Sequence, residues 1–305
     1  MTTQTQASPS STNKRNSQLA LNALLGGVIA IGFVPIFVRL SQVGPSATAF
    51  WRLAISLPVF WGWMMLEKRR QPSARRPASA ADYRRLALAG LFFAADLAIW
   101  HWSIKLTSVA NATLLANFAP IFVALGGWLI YGQRVNLRFV AGMCTAVAGS
   151  ILLVGTSFSL SADHLLGDAL GLVAAIFYAI YILSIKRLRD DFSTPTIMAW
   201  SALASCMVLL PVTLLSGEAL FPPSAAGWLV LLGLALFSHV GGHGLITFAL
   251  AHLPAAFSSV VLLLQPVEAT FLAYLILSEP VAAAQVIGGA LALTGIFIAR
   301  RATQD

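Results

Sequence analysis

Two carboxylates occupy positions where a carboxylate is expensive. Asp96 lies near the middle of the apolar run Leu86–Lys105, and Glu268 lies near the middle of Ala256–Leu277. Runs of about 20 apolar residues have the length of a bilayer crossing. An ionised acid at the centre of such a crossing costs on the order of 3 kcal/mol even on the lenient insertion scale. Each acid must be neutral, paired or turned to water. Each is therefore a candidate ligand or proton site; the structural alternative is a protonated acid bonded to a neighbouring helix.

Helical spacing groups further polar residues around these acids. Asp96, Trp100 and Ser103 follow at i, i+4, i+7 and share one face. His239, His243 and Thr247 follow at i, i+4, i+8, with Gly241 and Gly242 leaving room beside them. A histidine can hydrogen-bond a carboxylate and switches charge near neutral pH. Packing between helices explains the two histidines almost as well. A His-x3-His pair also suits a metal on a helix, but no third His or Cys ligand is near, so neither a metal nor another cofactor is expected.

Thr113, Asn117 and Pro120 form another i, i+4, i+7 set, and the ninth run offers Ser258, Gln265 and Glu268. Proline removes a backbone donor and can kink a helix, which frees a carbonyl to line a cavity or to be met by a neighbour. Tyr178 and Tyr181 share a face at i, i+3; with Phe118 and Trp100 they would form an aromatic wall, although core or interfacial packing is the plainer reading. Arg52 stands in a stripe with Thr48 and Ser56. It is only about 10 Å from the outer start of its run at 1.5 Å per residue, so snorkelling accounts for it as well as a site does.

The elements that must hold these residues follow from composition. Of 305 residues, 58% are hydrophobic and only 10% are charged, and the mean hydropathy is +0.81. About a quarter of an ordinary soluble domain is charged. A water-soluble globule cannot hide so much apolar surface, which excludes a soluble enzyme, a disordered protein and the usual kind of nucleic-acid binder. Ten apolar runs are long enough to span: Leu19–Leu40, Pro45–Leu66, Leu86–Lys105, Val109–Tyr131, Arg138–Val154, Gly167–Ile185, Thr194–Leu215, Ala226–Phe248, Ala256–Leu277 and Ala282–Ala299. Residues 1–18 are rich in Ser, Thr and Gln and are expected to be a disordered tail. The segment Glu67–Arg85 reads as a polar loop. Cys144 and Cys206 stand alone in apolar stretches, which suits packing rather than redox chemistry.

The net charge of +8 reads as topology. With the N-terminus in the cytoplasm, sixteen Lys and Arg fall in inside segments and only Arg39 and Lys105 fall outside. Both termini are then inside.

The chain also matches itself at an offset of 146 residues without a gap: Pro120 with Pro266, Gln133 with Glu279, Gly142 with Gly288 and Gly149 with Gly295. The expected units are 19–157 and 166–301. Five spans per unit is odd, so the two must be inverted relative to each other, the arrangement of many transporters, whose sites lie at midplane between the repeats. At the same offset Asp96 corresponds to Gly242, which turns the Asp96 and His243 stripes toward one centre.

These repeated prolines and glycines, with ten spans in about 300 residues, resemble the EamA-type transporters of the drug/metabolite transporter superfamily. Glu279 fits a glutamate usual after the fourth helix of each repeat, and Gln133 departs from it. Asn117-Phe118-Ala119-Pro120 and Phe177-Tyr178-Ala179-Ile180-Tyr181 are most similar to the bacterial YddG-type exporters of aromatic and other amino acids. The resemblance implies an all-α basket of ten helices around a central cavity, with helices 5 and 10 at its edge, and export by alternating access across the bacterial cytoplasmic membrane. On that reading the substrate is an amino acid. Asp96 and the histidine stripe would meet its ammonium, Asn117 and Gln265 its carboxylate, and the aromatic residues its side chain. Proton coupling and a monomer or homodimer are the further expectations, with no nucleic acid. A drug or lipophilic-cation exporter is the alternative. An intramembrane enzyme is remote, since neither GxSxG nor HExxH occurs.

Overall fold

The computed structural model describes residues 9–107, 109–133, 135–154, 164–277 and 281–303. It is all-helical over those residues, as composition and periodicity require. Ten helical segments are long and apolar enough to cross a membrane: Asn16–Leu40, Pro45–Arg70, Ala80–Leu106, Asn111–Tyr131, Leu137–Val154, Leu165–Leu188, Thr194–Leu215, Ala225–Ala249, Ala255–Leu272 and Ala283–Ala302, numbered spans 1 to 10 in this order. Their outward faces carry large exposed apolar side chains such as Leu129, Ile130 and Leu215, a surface suited to lipid tails. Exposed Trp63, Tyr83, Trp102, Trp128 and Tyr131 lie near span ends, the depth at which amphipathic rings favour the membrane interface.

Two boundaries differ from the apolar runs. The first helix begins at Pro9, ahead of the run that starts at Leu19. Once the apolar run from Leu19 has nucleated, each added residue gains a hydrogen bond at little cost, and proline suits a helix start. The loop expected over Glu67–Arg85 is shorter, because span 2 continues to Arg70 and the next helix starts at Ala80. A capping box fixes that start: the Ser79 side chain accepts from Asp82 N, and the Asp82 carboxylate accepts from Ser79 N.

Four spans are irregular near mid-depth. Span 1 breaks at Phe33, between helices Pro9–Gly32 and Val34–Leu40. Span 4 breaks at Asn117–Phe118, between Val109–Ala116 and Ala119–Tyr131. Span 9 breaks at Leu262–Leu263, between Ala255–Val261 and Leu264–Leu277. Pro35, Pro120 and Pro266 each follow the break closely and cannot donate the backbone bond that would close the turn. Span 8 stays continuous but turns π-helical over Leu234–His243, a form that recurs at functional sites.

Spans 5 and 10 form the tightest helix pair, and glycine makes the approach possible. A Cβ at Gly142 would sit 2.6 Å from Ala299 N and 2.8 Å from Gly295 O, and one at Gly149 would sit 2.6 Å from Gly288 O. In return, a Cβ at Gly288 would meet Leu153 N at 2.6 Å and Gly149 O at 2.7 Å. The residues matched at the 146 offset thus exchange partners: Gly142 faces Gly295, and Gly149 faces Gly288. Cys206 is buried in the core and Cys144 lies on the exposed side of span 5; neither is in a disulfide.

Spans 2, 3 and 7 are tied at both ends. At one end Asp191 takes Arg75 and Arg85, the latter at 2.7 Å, and Ser193 donates to Glu67. At the other end Glu218 accepts from Ser46 N at 2.8 Å and Ala47 N at 3.1 Å and lies 3.8 Å from Lys105 Nζ of span 3, and Trp51 donates to Leu220 O. These ties hold the helices that carry the central residues.

Candidate functional site

Span 2 brings Arg52 to mid-depth, and the guanidinium does not reach out to the interface. Arg52 is only 7% exposed, its Nε is buried with no partner, and its Cζ lies 6.0 Å from the centre of the Phe93 ring. Snorkelling is therefore the wrong account of this residue. Span 3 supplies Phe93 and, one turn on, Asp96. Span 6 supplies Tyr178 and Tyr181. The Arg52 guanidinium lies within electrostatic reach of Asp96 and both tyrosines. Asp96 and Tyr178 are each half-buried.

Phe93 is the hub of an aromatic array. It stacks on Tyr181 at 4.6 Å and on His239 at 5.9 Å, and it touches His243 at 5.3 Å between ring centres. Tyr178 stacks on Tyr181 at 6.1 Å. His239 meets Phe60 at 5.8 Å and His243 at 5.0 Å. The π-helical stretch of span 8 presents both histidines to this array. Both His239 ring nitrogens are buried without a partner, as is Ser238 Oγ. Buried polar atoms are nearly always bonded, so a cluster of unpartnered ones marks a place that something polar can complete.

The expected site residues fall into three groups. Asp96, Tyr178, Tyr181, His239 and His243 come together with Arg52. Trp100 is half-buried one turn beyond Asp96, 5.3 Å from His101; Ser103 on the same stripe instead donates to Gly167 O at 2.7 Å and ties span 3 to span 6. Asn117 and Phe118 form the break of span 4, with Asn117 Nδ2 buried and unpartnered. Phe118, like Tyr178, packs on the main core. Gln265 and Glu268 follow the break of span 9. The Glu268 carboxylate packs against Gly32 at the break of span 1, where any Cβ would collide with it, and its Oε2 is buried without a partner. The half of span 4 after its break packs on the half of span 9 before its break. Thr247, on the histidine stripe, bonds Met198 Sδ at 3.3 Å. Glu279 lies outside the described residues. Among the described residues no three His, Cys, Asp or Glu side chains gather as a metal site would need.

Sequence reasoning does not reach three members: Arg52, whose position fits snorkelling as well as a site, and Phe93 and Phe60, which carry no pattern of their own. The signal for Arg52 was present, since it is the one Lys or Arg placed inside a span rather than at an end or in a loop. Nothing distinguishes Phe93 or Phe60 from other apolar residues in apolar helices.

A chain with ten apolar spans, several broken at mid-depth, and with charged and polar side chains gathered inside the bundle has the architecture of a membrane transporter. The sequence profile of the EamA-like transporter family matches residues 18–155 and again 165–301, and the chain belongs to that family. Among relatives, an uncharacterised transporter of Archaeoglobus fulgidus is 26% identical, over 94% of this chain and 97% of its own. A probable terminal-alkyne amino-acid exporter of Streptantibioticus cattleyicolor is 28% identical, over 75% of this chain and 76% of its own. A probable amino-acid metabolite efflux pump of Escherichia coli is 26% identical, over 61% and 66%. One crystal structure shares the fold with a TM-score of 0.78 at 19% identity, covering 93% of this chain and 97% of that one.

Proposed function

We propose that this transporter exports small metabolites, chiefly amino acids including aromatic ones, across the bacterial cytoplasmic membrane by alternating access between two inverted five-helix halves, 19–157 and 166–301. The observation that carries the reading is the charged and aromatic centre. A guanidinium, Arg52, and a carboxyl group, Asp96, lie within electrostatic reach without a direct ion pair, beside the ring array of Phe93, Tyr178 and Tyr181. Such a centre suits a solute that is polar, close to neutral overall and able to stack. The names of two relatives, an amino-acid exporter and an amino-acid metabolite efflux pump, point the same way. The exchange of glycine partners between spans 5 and 10 supports a two-fold relation of the halves, because such an axis makes each contact occur twice. The charge asymmetry supports cytoplasmic termini.

The cation-exporter alternative is less well served, since a fixed guanidinium repels a cation from the same centre. Proton coupling belongs to the proposal through Asp96. One carboxylate can hold a proton or salt-bridge an ammonium, but not both, and that exclusivity is the condition for exchanging one for the other.

The test is flux of a panel of radiolabelled amino acids into proteoliposomes, with and without a pH gradient. Saturable uptake of phenylalanine is the expected result. Movement of cationic dyes with no amino-acid flux would replace this reading with the drug alternative.

A further inference from the structure

The environment of Arg52 carries the reading further. A guanidinium offers five N–H donors in a planar fork that matches a carboxylate. At Arg52 this fork is buried and Nε has no acceptor. Its nearest support is the face of Phe93, an attraction far weaker than an ion pair. Asp96, one turn from Phe93 on span 3, is the acid within the guanidinium's electrostatic reach, yet among the described residues no ion pair joins the two. Removing the partner of a buried charge is strongly destabilising, so a buried guanidinium held beside a half-buried carboxyl with no ion pair between them is left without its natural complement. A zwitterion of suitable size completes both at once. Its anionic end satisfies the fork, its cationic end satisfies the carboxylate, and the pair adds no net charge to the membrane interior.

We propose that Arg52 and Asp96 are the specificity pair for the α-amino-acid head group: Arg52 binds the α-carboxylate, Asp96 binds the α-ammonium, and the substrate side chain extends along Tyr178. This assignment rests on the amino-acid reading above. It replaces Asn117 and Gln265 as the carboxylate ligands, because each offers at most a neutral amide where Arg52 offers a charged fork. His239 and His243 also lie within reach of the Arg52 charge. They shape the wall behind Phe93 and are not needed to hold the head group.

The decisive experiment is competition against radiolabelled phenylalanine exchange in proteoliposomes of the full chain. Three competitors are used: phenylalanine, phenylalaninamide, which lacks the carboxylate, and N-acetylphenylalanine, which lacks the ammonium. The wild type is expected to prefer phenylalanine over both analogues by about 10- to 100-fold, the range of a lost hydrogen-bonded charge contact. In R52Q, phenylalanine should fall to the level of the amide while the amide itself is little changed, which also demonstrates a folded site. In D96N, phenylalanine should fall to the level of the N-acetyl compound. Wild-type exchange with R52Q retaining its full preference for phenylalanine over the amide overturns the Arg52 assignment alone. A wild type that moves no amino acid overturns the substrate reading with it. Should R52Q not fold, R52K decides: a weakened or lost preference for phenylalanine over the amide supports the fork, and a preference equal to the wild type's refutes it.

Discussion

Replacing Tyr178 by alanine separates aromatic recognition from general transport. The Tyr178 ring stacks at 6.1 Å on Tyr181, which stacks at 4.6 Å on Phe93. Its own side chain is half-buried. An aromatic substrate laid against that ring gains about 0.5–1.5 kcal/mol beyond area burial, whereas a small aliphatic substrate gains little of it. At 1.4 kcal/mol per decade, Tyr178→Ala should weaken phenylalanine exchange by about 3- to 10-fold, and alanine or threonine exchange by less. No hydrogen bond engages the Tyr178 hydroxyl among the described residues, so Tyr178→Phe should keep the wild-type selectivity. The assay is exchange of each labelled amino acid in proteoliposomes, normalised to folded protein by thermal melting, because the lost stacking on Tyr181 also lowers stability. Equal losses for all substrates in a stably folded Y178A make the ring a structural element. Unchanged phenylalanine exchange removes it from the site.

Other consequences follow from named contacts. Asp96→Asn should abolish stimulation by a pH gradient while downhill exchange persists at reduced affinity; a wild type indifferent to the gradient removes proton coupling from the account. Gly149→Ala drives a Cβ to 2.6 Å from Gly288 O and should lower thermal stability by about 1–3 kcal/mol, whereas Gly62→Ala, with nothing within 4 Å of the new Cβ, should be neutral or slightly stabilising. Asp191→Asn releases Arg75 and Arg85 and should cost about 1 kcal/mol or less, an effect that shrinks as salt is added. In a background without Cys144 and Cys206, a cysteine at Pro223 should be labelled by an impermeant reagent from outside intact cells and one at Asp190 only after permeabilisation; outside labelling at position 190 refutes the proposed orientation.

The spans were legible because a bilayer crossing leaves a plain mark, a long apolar run, that needs no knowledge of its neighbours. The breaks of spans 4 and 9 were legible for a similarly local reason, since Pro120 and Pro266 stand at matched positions and cannot complete a helical turn. The break at Phe33 and the π-helical stretch of span 8 were not anticipated. Pro35 carries the same local signal as Pro120 and Pro266, whereas the π-helical stretch packs closely on span 1, where a Cβ at Gly242 would meet Ile31 Cγ2 at 2.6 Å. The site was half legible. Polar residues at mid-span announce themselves by their cost, and Asp96, His239 and His243 were found that way. Arg52 has the same cost, but a long stem offers it a second escape, and only its burial against Phe93 decides between them. Phe93 illustrates the limit, because an apolar residue in an apolar helix acquires meaning only from what it touches.

The central claim is that one internal site, alternately exposed, carries amino acids across the membrane. Counterflow tests it most directly. Proteoliposomes preloaded with unlabelled phenylalanine are diluted into a trace of labelled phenylalanine, and internal label is followed over time. A carrier that reorients faster when loaded should accumulate label transiently above the external concentration, and unloaded vesicles should not. Uptake that never exceeds equilibrium, whatever the preload, would contradict an alternating site and leave the Arg52 and Asp96 centre without the role assigned to it.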